Sequence, residues 1–189
     1  MAARGQYKEI YTIGHSNKTD QYLINSLNKY QIDTVVDVRS FPHSRFVPQF
    51  NQKKLSETLS NYGIDYKFLG TYLGGRPRDP TCYKNGTFPE GKADYLEIVD
   101  YEEVAKRDFY RQGIQQLLDI AKHHKIVILC SEENPNRCHR KHLITKTLIE
   151  LGITINHIRG DGVLQTEIPH IKKKNQVVQY KLEDYGVAV

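Results

Sequence analysis

The sequence predicts an α/β domain built on a mostly parallel sheet of about five strands, with helices on both faces. Two observations carry that expectation. Short apolar runs alternate with segments whose apolar positions recur at helical spacing, and the alternation persists across roughly 150 residues. The clearest runs are also apolar at consecutive positions, as a parallel strand covered on both sides requires.

The elements follow in order. Residues 8–13, Lys-Glu-Ile-Tyr-Thr-Ile, form a first strand that stops at Gly14. Thr19 or Asp20 caps a helix that carries Tyr22, Leu23, Ser26, Leu27 and Tyr30 on one face. Residues 34–38 make a second strand, with Asp37 its polar exception. Asn51 is placed to cap a helix bearing Leu55, Leu59 and Tyr62, and Gly63 stands at the left-handed position after it. Residues 64–69 are the third strand.

From residue 70 to 95 turn signals dominate: Gly74-Gly75-Arg76-Pro77-Arg78, Asp79-Pro80 and Pro89-Glu90-Gly91. The segment reads as one long loop and a candidate site wall. Helical spacing returns at Val104 and Ala105, then at Ile114, Leu117, Leu118 and Ala121. Residues 125–130 are the clearest strand and end in Cys130. Pro135 suits an early helical position, with Leu143, Ile144, Leu148 and Leu151 on the buried face of a helix ending at Gly152. Residues 153–158 are the fifth strand, and Gly160-Asp161-Gly162 turns the chain. The basic segment 165–189, with Lys172-Lys173-Lys174 before Val177-Val178, reads either as a turn and edge element or as a flexible tail. One domain over residues 1–189 accommodates the pattern.

Hydrophobic residues make up 39% and charged residues 26% of the chain, the balance of a soluble globular protein. No apolar run reaches the roughly 18 residues of a membrane span, and no signal segment opens the chain, so a cytoplasmic protein with no membrane partner is expected. Its three cysteines, Cys82, Cys130 and Cys138, cannot all pair and are expected as free thiols. A formal charge of +5 favours an anionic partner.

In open α/β sheets ligands bind outside the carboxyl ends of the strands. The predicted strand ends deliver His15 and Ser16, Asp37 and Arg39, the Gly74-Gly75 loop, Cys130, Ser131 and Glu132, and finally His157 and Arg159. The densest signal is the stretch from Cys130 to Arg140. Cys130 reads as a nucleophile activated by a helix N-terminus with Arg137 and Arg140 nearby, or as the last buried residue of its strand. Cys138, His139 and His142 add possible zinc ligands, but the eight-residue offset between the cysteines lacks the short paired spacing of such sites. Neither a metal nor a cofactor is expected on that basis.

The same helix start, flanked by Arg137 and Arg140, suits a phosphate or carboxylate. Asp37 and Arg39 point to one side, to pair or to share a substrate, and Glu132 serves as general acid or base or as a helix cap. Basic and aromatic residues interleave between Arg39 and Phe50, including Ser44 and Arg45, and the following loop adds Tyr72, Arg76, Arg78, Tyr83 and Lys84. Arginines that hold phosphates beside aromatics that stack on bases suggest a nucleic-acid groove or nucleotide pocket.

Thr12-Ile13-Gly14-His15-Ser16, Asp37-Val38-Arg39 with Pro42 and Ser44, Leu73-Gly74-Gly75, and Cys130 with Glu132, Pro135 and Cys138-His139-Arg140 together resemble domain-of-unknown-function family 488. The resemblance covers most of the chain. It implies a Rossmann-like α/β fold and no particular reaction.

Three functions compete. The first is an enzyme acting on nucleic acid or nucleotide, by base excision or phosphate-ester hydrolysis. In it Glu132 or Asp37 activates water, His15 or His139 shuttles a proton, and Ser16, Arg39, Ser44, Arg45, Gly74, Gly75, Arg76, Arg137 and Arg140 hold the substrate and its phosphate. The second is a transferase with Cys130 as nucleophile. The third is a noncatalytic module that binds an anionic metabolite.

Overall fold

The computed structural model describes residues 9–169. Six strands form one sheet: β1 Glu9–Gly14, β2 Thr34–Asp37, β3 Asp65–Phe68, β4 Ile126–Cys130, β5 Thr154–Ile158 and β6 Leu164–Glu167. Their spatial order is β3-β2-β4-β1-β5-β6. The first five run parallel, and β6 pairs antiparallel with β5. The mostly parallel α/β architecture is therefore the one the alternation predicts, and it is consistent with a Rossmann-like fold.

The central strands are buried on both faces, which is why they read as continuous apolar runs. On one face, α1 (Asp20–Lys29) and α2 (Gln52–Asn61) pack Leu23, Leu27, Leu55 and Leu59 against Ile13, Val35, Val127 and Leu129. On the other, α3 (Gly70–Leu73), α5 (Tyr101–Ala105) and α6 (Asp108–Ala121) join the later helices over Val36, Ile126, Ile128 and Ile155. Thr19 caps α1 by accepting a hydrogen bond from the Tyr22 amide at 3.1 Å. Gly63 follows α2 with a left-handed φ of 71°. Asn51 precedes α2 without capping it. Its Oδ1 instead accepts from the Ser44 amide at 2.6 Å, which ties the basic aromatic loop to the helix start.

Three expectations need correction. Residues 70–95 are not one structureless loop: they contain α3, a 3-10 turn at Pro80–Cys82 and an isolated bridge from Tyr83 to Val99. Buried Leu73, Cys82 and Tyr83 anchor this segment to the core, and a short α4 (Tyr95–Ile98) follows it.

Pro135 does not open the long helix. It begins a separate 3-10 turn, Pro135–Arg137, after which Cys138 is extended; the helix starts as a π turn, Arg140–Thr145, that runs into α7 (Lys146–Glu150). The helix start that meets Cys130 is therefore His139 at the π turn, whose Nδ1 lies 3.7 Å from the Cys130 sulfur, and not Pro135.

Finally, residues 164–167 form a sixth strand at the sheet edge, so the segment expected from 165 as a basic turn with an edge element or as a flexible tail begins inside a strand. Leu-Gln-Thr-Glu has little β propensity of its own, so this strand is set by the turn at Gly162 and by pairing with β5. The lysine run and Val177-Val178 lie outside the described residues. No helix among the described residues is long and apolar enough to cross a membrane.

The topology fixes where a ligand can sit. The chain leaves β1 toward β2 through α1 on one face, and leaves β4 toward β5 through α7 on the other. Neighbouring β1 and β4 thus form a switch point, where a crevice opens at the strand carboxyl ends. His15 and Cys130 emerge there. The His15 amide donates to the Cys130 carbonyl at 3.0 Å, and the Ser16 amide to the Ser131 carbonyl at 2.8 Å.

Candidate functional site

A cleft of about 820 Å³ opens at this switch point, lined by Arg39, Phe41, Arg76, Tyr95, Glu132 and Arg137 with Cys130, Cys138 and His139 at its floor. An adjoining compartment of about 420 Å³ shares Arg39, Phe41 and Glu132 and adds His15 and Ser16. Both belong to one strand-end crevice. The 40–50 loop makes one wall, residues 75–76 and 92–96 another, and residues 130–139 the base.

Asp37 is fully buried and does not face the cleft as a free carboxylate. Its oxygens accept from Arg39 Nε at 2.9 and 3.1 Å, from Arg39 Nη2 at 2.6 Å and from the Tyr66 hydroxyl at 2.7 Å. Such a carboxylate is a holder rather than a base. It fixes the Arg39 guanidinium, which reaches both compartments of the cleft. Arg39 Nη1 then meets His15 Nε2 at 3.1 Å, while His15 Nδ1 lies 2.7 Å from the Ser16 carbonyl. Since arginine only donates, His15 Nε2 is the acceptor and Nδ1 carries the proton. The ring also stacks on Phe50 at 4.2 Å.

Burial first, and then the Arg39 charge, push His15 down to about 4. That keeps the His15 imidazole neutral near neutral pH, held between Arg39 and the Ser16 carbonyl. Its folded pKa lies below the ordinary 6.5, so the unfolded chain binds the proton first as pH falls, and stability drops through the window from about 6.5 to 4. The expected loss from this group is about 3 kcal/mol. Urea unfolding between pH 7 and pH 4 measures it, and His15→Gln, which retains an acceptor for Arg39, is expected to flatten that part of the profile.

The three cysteines are free, and two of them meet at the floor. Cys130 Sγ lies 3.7 Å and Cys138 Sγ 3.8 Å from His139 Nδ1. The two thiols do not titrate alike. Its hydrogen bond with Cys138, with burial, pushes the Cys130 thiol well above the usual range. Burial opposes ionisation of Cys138 too, but the hydrogen bond from Cys130 and the Arg140 charge bring it down to about 7. His142 lies apart, with its Nε2 2.8 Å from the Asn136 carbonyl.

Arg140 is fully buried, and its guanidinium clamps the Glu132 and Glu133 carbonyls, the latter at 2.7 Å. It shapes the base of the cleft instead of offering a cation to it. Arg137 and Arg76, by contrast, are exposed and line the cleft. Arg76 lies over the Tyr95 ring at 4.3 Å and 6.0 Å from that of Phe41. Glu132 is exposed and lines both compartments, and its carboxylate has no hydrogen-bond or ion-pair partner among the described residues.

Among the remaining residues singled out from the sequence, Ser16 lines the smaller compartment with a left-handed φ of 48°. The Ser44 hydroxyl accepts from the Phe46 amide at 3.1 Å and holds its own loop. Arg45 covers Phe46 at 4.9 Å and is not among the residues lining the cleft. Gly74 packs beside Ser40 and the Gly70 carbonyl, whereas Gly75 faces the floor. A side chain at Gly75 would fall 2.6 Å from the His139 ring, so glycine lets the loop approach that imidazole. Gly14 acts likewise, since a methyl group there would collide with the Glu132 carbonyl.

Two cleft residues, Tyr95 and Tyr101, escaped the sequence reading, whereas Phe41 and His43, which also line it, belong to the basic aromatic run singled out there. Glu133, adjacent to Glu132, turns away to pair with Arg159 at 2.9 Å and to accept the Gly160 amide at 2.8 Å. Nothing in the sequence distinguishes the two glutamates; the Phe41 signal was present in the basic aromatic run.

The fold and the cleft together define an α/β protein with a strand-end site that combines exposed arginines, aromatics, a free carboxylate and a buried thiol-imidazole cluster. Residues 19–146 match the family model described as Domain of unknown function DUF488, and the chain belongs to that family. Neither a curated protein nor a solved structure matches it.

Proposed function

We propose that the chain is an enzyme that hydrolyses a nucleic acid or nucleotide, at a phosphate ester or a base-sugar bond. The observation that carries this reading is the wall where Arg76 lies against Tyr95 and beside Phe41, the latter 64% exposed, facing Arg39 and Arg137 across one cleft. Exposed aromatic faces stack on bases, and arginines hold phosphate oxygens. Glu132 is the unpaired carboxylate beside them. It takes a proton from water as the water oxygen bonds to the reacting phosphorus or sugar carbon, and the leaving group departs with a proton returned to it.

The test is fluorescence anisotropy with labelled single strands, duplexes and nucleotides at low salt, followed by product analysis. Binding is expected to weaken with rising salt. Arg76→Ala and Arg137→Ala are each expected to cost about tenfold. Glu132→Gln is expected to retain binding and lose about 100-fold in turnover. Failure to bind any of the three ligand types at low salt would overturn the reading.

A further inference from the structure

We infer that Cys130, Cys138 and His139 form a binding site for a zinc-type divalent cation, held through Sγ, Sγ and Nδ1, with a fourth position open to the cleft. The three donor atoms all lie within 4.8 Å of one another. A tetrahedral zinc with Zn–S near 2.3 Å and Zn–N near 2.1 Å places neighbouring sulfur and nitrogen ligands about 3.6 Å apart. The observed separations are 3.7 and 3.8 Å, so the donors already sit at coordination spacing.

Each donor is positioned by a different part of the backbone. Cys130 ends β4, whose register is fixed by β1 and β2. Cys138 closes the 3-10 turn, its amide donating a hydrogen bond to the Pro135 carbonyl at 3.0 Å. His139 immediately precedes the π turn, packed under Gly75. The seven residues between the cysteines therefore form a folded excursion, locked by Arg140, that returns the second thiol to the first. Sequence spacing alone gave no sign of it.

Two further observations point to a ligand. His139 is only 8% exposed, and packing under Gly75 aims its Nδ1 at both sulfurs, the described contacts of its ring nitrogens. The Arg140 amide approaches Cys138 Sγ at 3.5 Å, the kind of outer contact that orients a metal-bound thiolate. Two thiolates and an imidazole select a soft or borderline cation over magnesium or calcium. Three protein ligands with an open position are the pattern of a reactive rather than a structural zinc. The inference goes beyond the proposed hydrolysis and does not depend on it.

The test is cobalt titration of metal-free protein under a phosphine reductant, with three free thiols verified by denatured thiol counting, alongside elemental analysis of freshly purified protein. One cobalt per chain is expected, with a thiolate-to-cobalt charge-transfer band and intense visible bands of a tetrahedral ion, both bleached by zinc. Zinc is also expected to raise the melting temperature. Cys138→Ser and His139→Asn are each expected to weaken zinc by more than the roughly 10–100-fold typical of an outer-shell loss, while His142→Ala leaves it unchanged. Should either ligand variant fail to fold, the wild-type titration still decides. Fully reduced wild-type protein with no charge-transfer band and no zinc-dependent melting shift would overturn the site. Nucleic-acid binding is not part of this readout, so failure of one proposal leaves the other standing.

Discussion

Asp37→Ala is expected to destabilise the folded chain by about 3–5 kcal/mol, because it strands a buried guanidinium. Arg39 is 5% exposed, and the Asp37 carboxylate is its counter-charge. Removing the carboxylate leaves that charge desolvated beside a neutral His15, and it deprives the Tyr66 hydroxyl of its acceptor. Burial and the Asp37 charge both push Tyr66 upward, so the phenol stays protonated and donating across the ordinary pH range. Asp37→Asn preserves shape and one acceptor and is expected to fall between wild type and alanine. The double variant Asp37→Leu with Arg39→Met is expected to recover much of the loss, since exchanging a whole buried pair for apolar side chains is often neutral. Urea unfolding followed by circular dichroism at pH 7 measures all three. A loss below about 1 kcal/mol for Asp37→Ala, the range of an exposed pair, would mean that Arg39 is solvated in solution.

Arg140→Met is expected to cost about 2–4 kcal/mol, at about 1–3 kcal/mol for each buried carbonyl left without a donor. The substitution fills much of the volume but leaves the Glu132 and Glu133 carbonyls unpaired in the base of the cleft. Relief of a buried charge offsets part of that cost. The more specific signature is local. Residues 131–139 are expected to lose hydrogen-exchange protection, together with the Ser16 amide that donates to the Ser131 carbonyl. Unchanged exchange across that stretch would show that the loop holds its shape without the clamp.

The two substitutions bear on how a strand-end site is built in this family. Both residues stand among those that resemble the family pattern, and both are buried beneath the cleft. Asp37 and Arg140 set the positions of Arg39 and of the 131–139 excursion, and the exposed Arg76, Arg137 and Glu132 line the cleft above them. The chemistry-bearing side chains are thus fewer than the polar residues gathered at the strand ends.

Much of the sheet was legible in the chain because burial writes itself into composition. Ile126–Cys130 is covered on both faces, and every position is apolar or a thiol. Thr34–Asp37 is legible for the same reason, and its single carboxylate already demanded a buried partner. Leu164–Glu167 was not, because an antiparallel edge strand takes its order from its neighbour, and its residues carry no apolar signature. The segment after Gly70 failed for a related reason. Its glycines and prolines mark turns correctly, but Leu73, Cys82 and Tyr83 are anchored by contacts with distant helices.

By itself the sequence determined the alternation of strands and helices, the burial of the central strands, and the strand ends where polar residues collect. Those properties follow from local periodicity and from the rule that parallel strands need cover on both faces. Tertiary structure alone decided which polar residues are paired and buried and which line the cleft. It consumed Asp37 and Arg140 in buried pairing, sent Glu133 to Arg159 while leaving Glu132 free, and folded the Cys130–Cys138 excursion back on itself. The reason is physical: what a side chain can do depends on what desolvates and pairs it, and for these residues the pairing partners lie as far as 29 residues away in sequence.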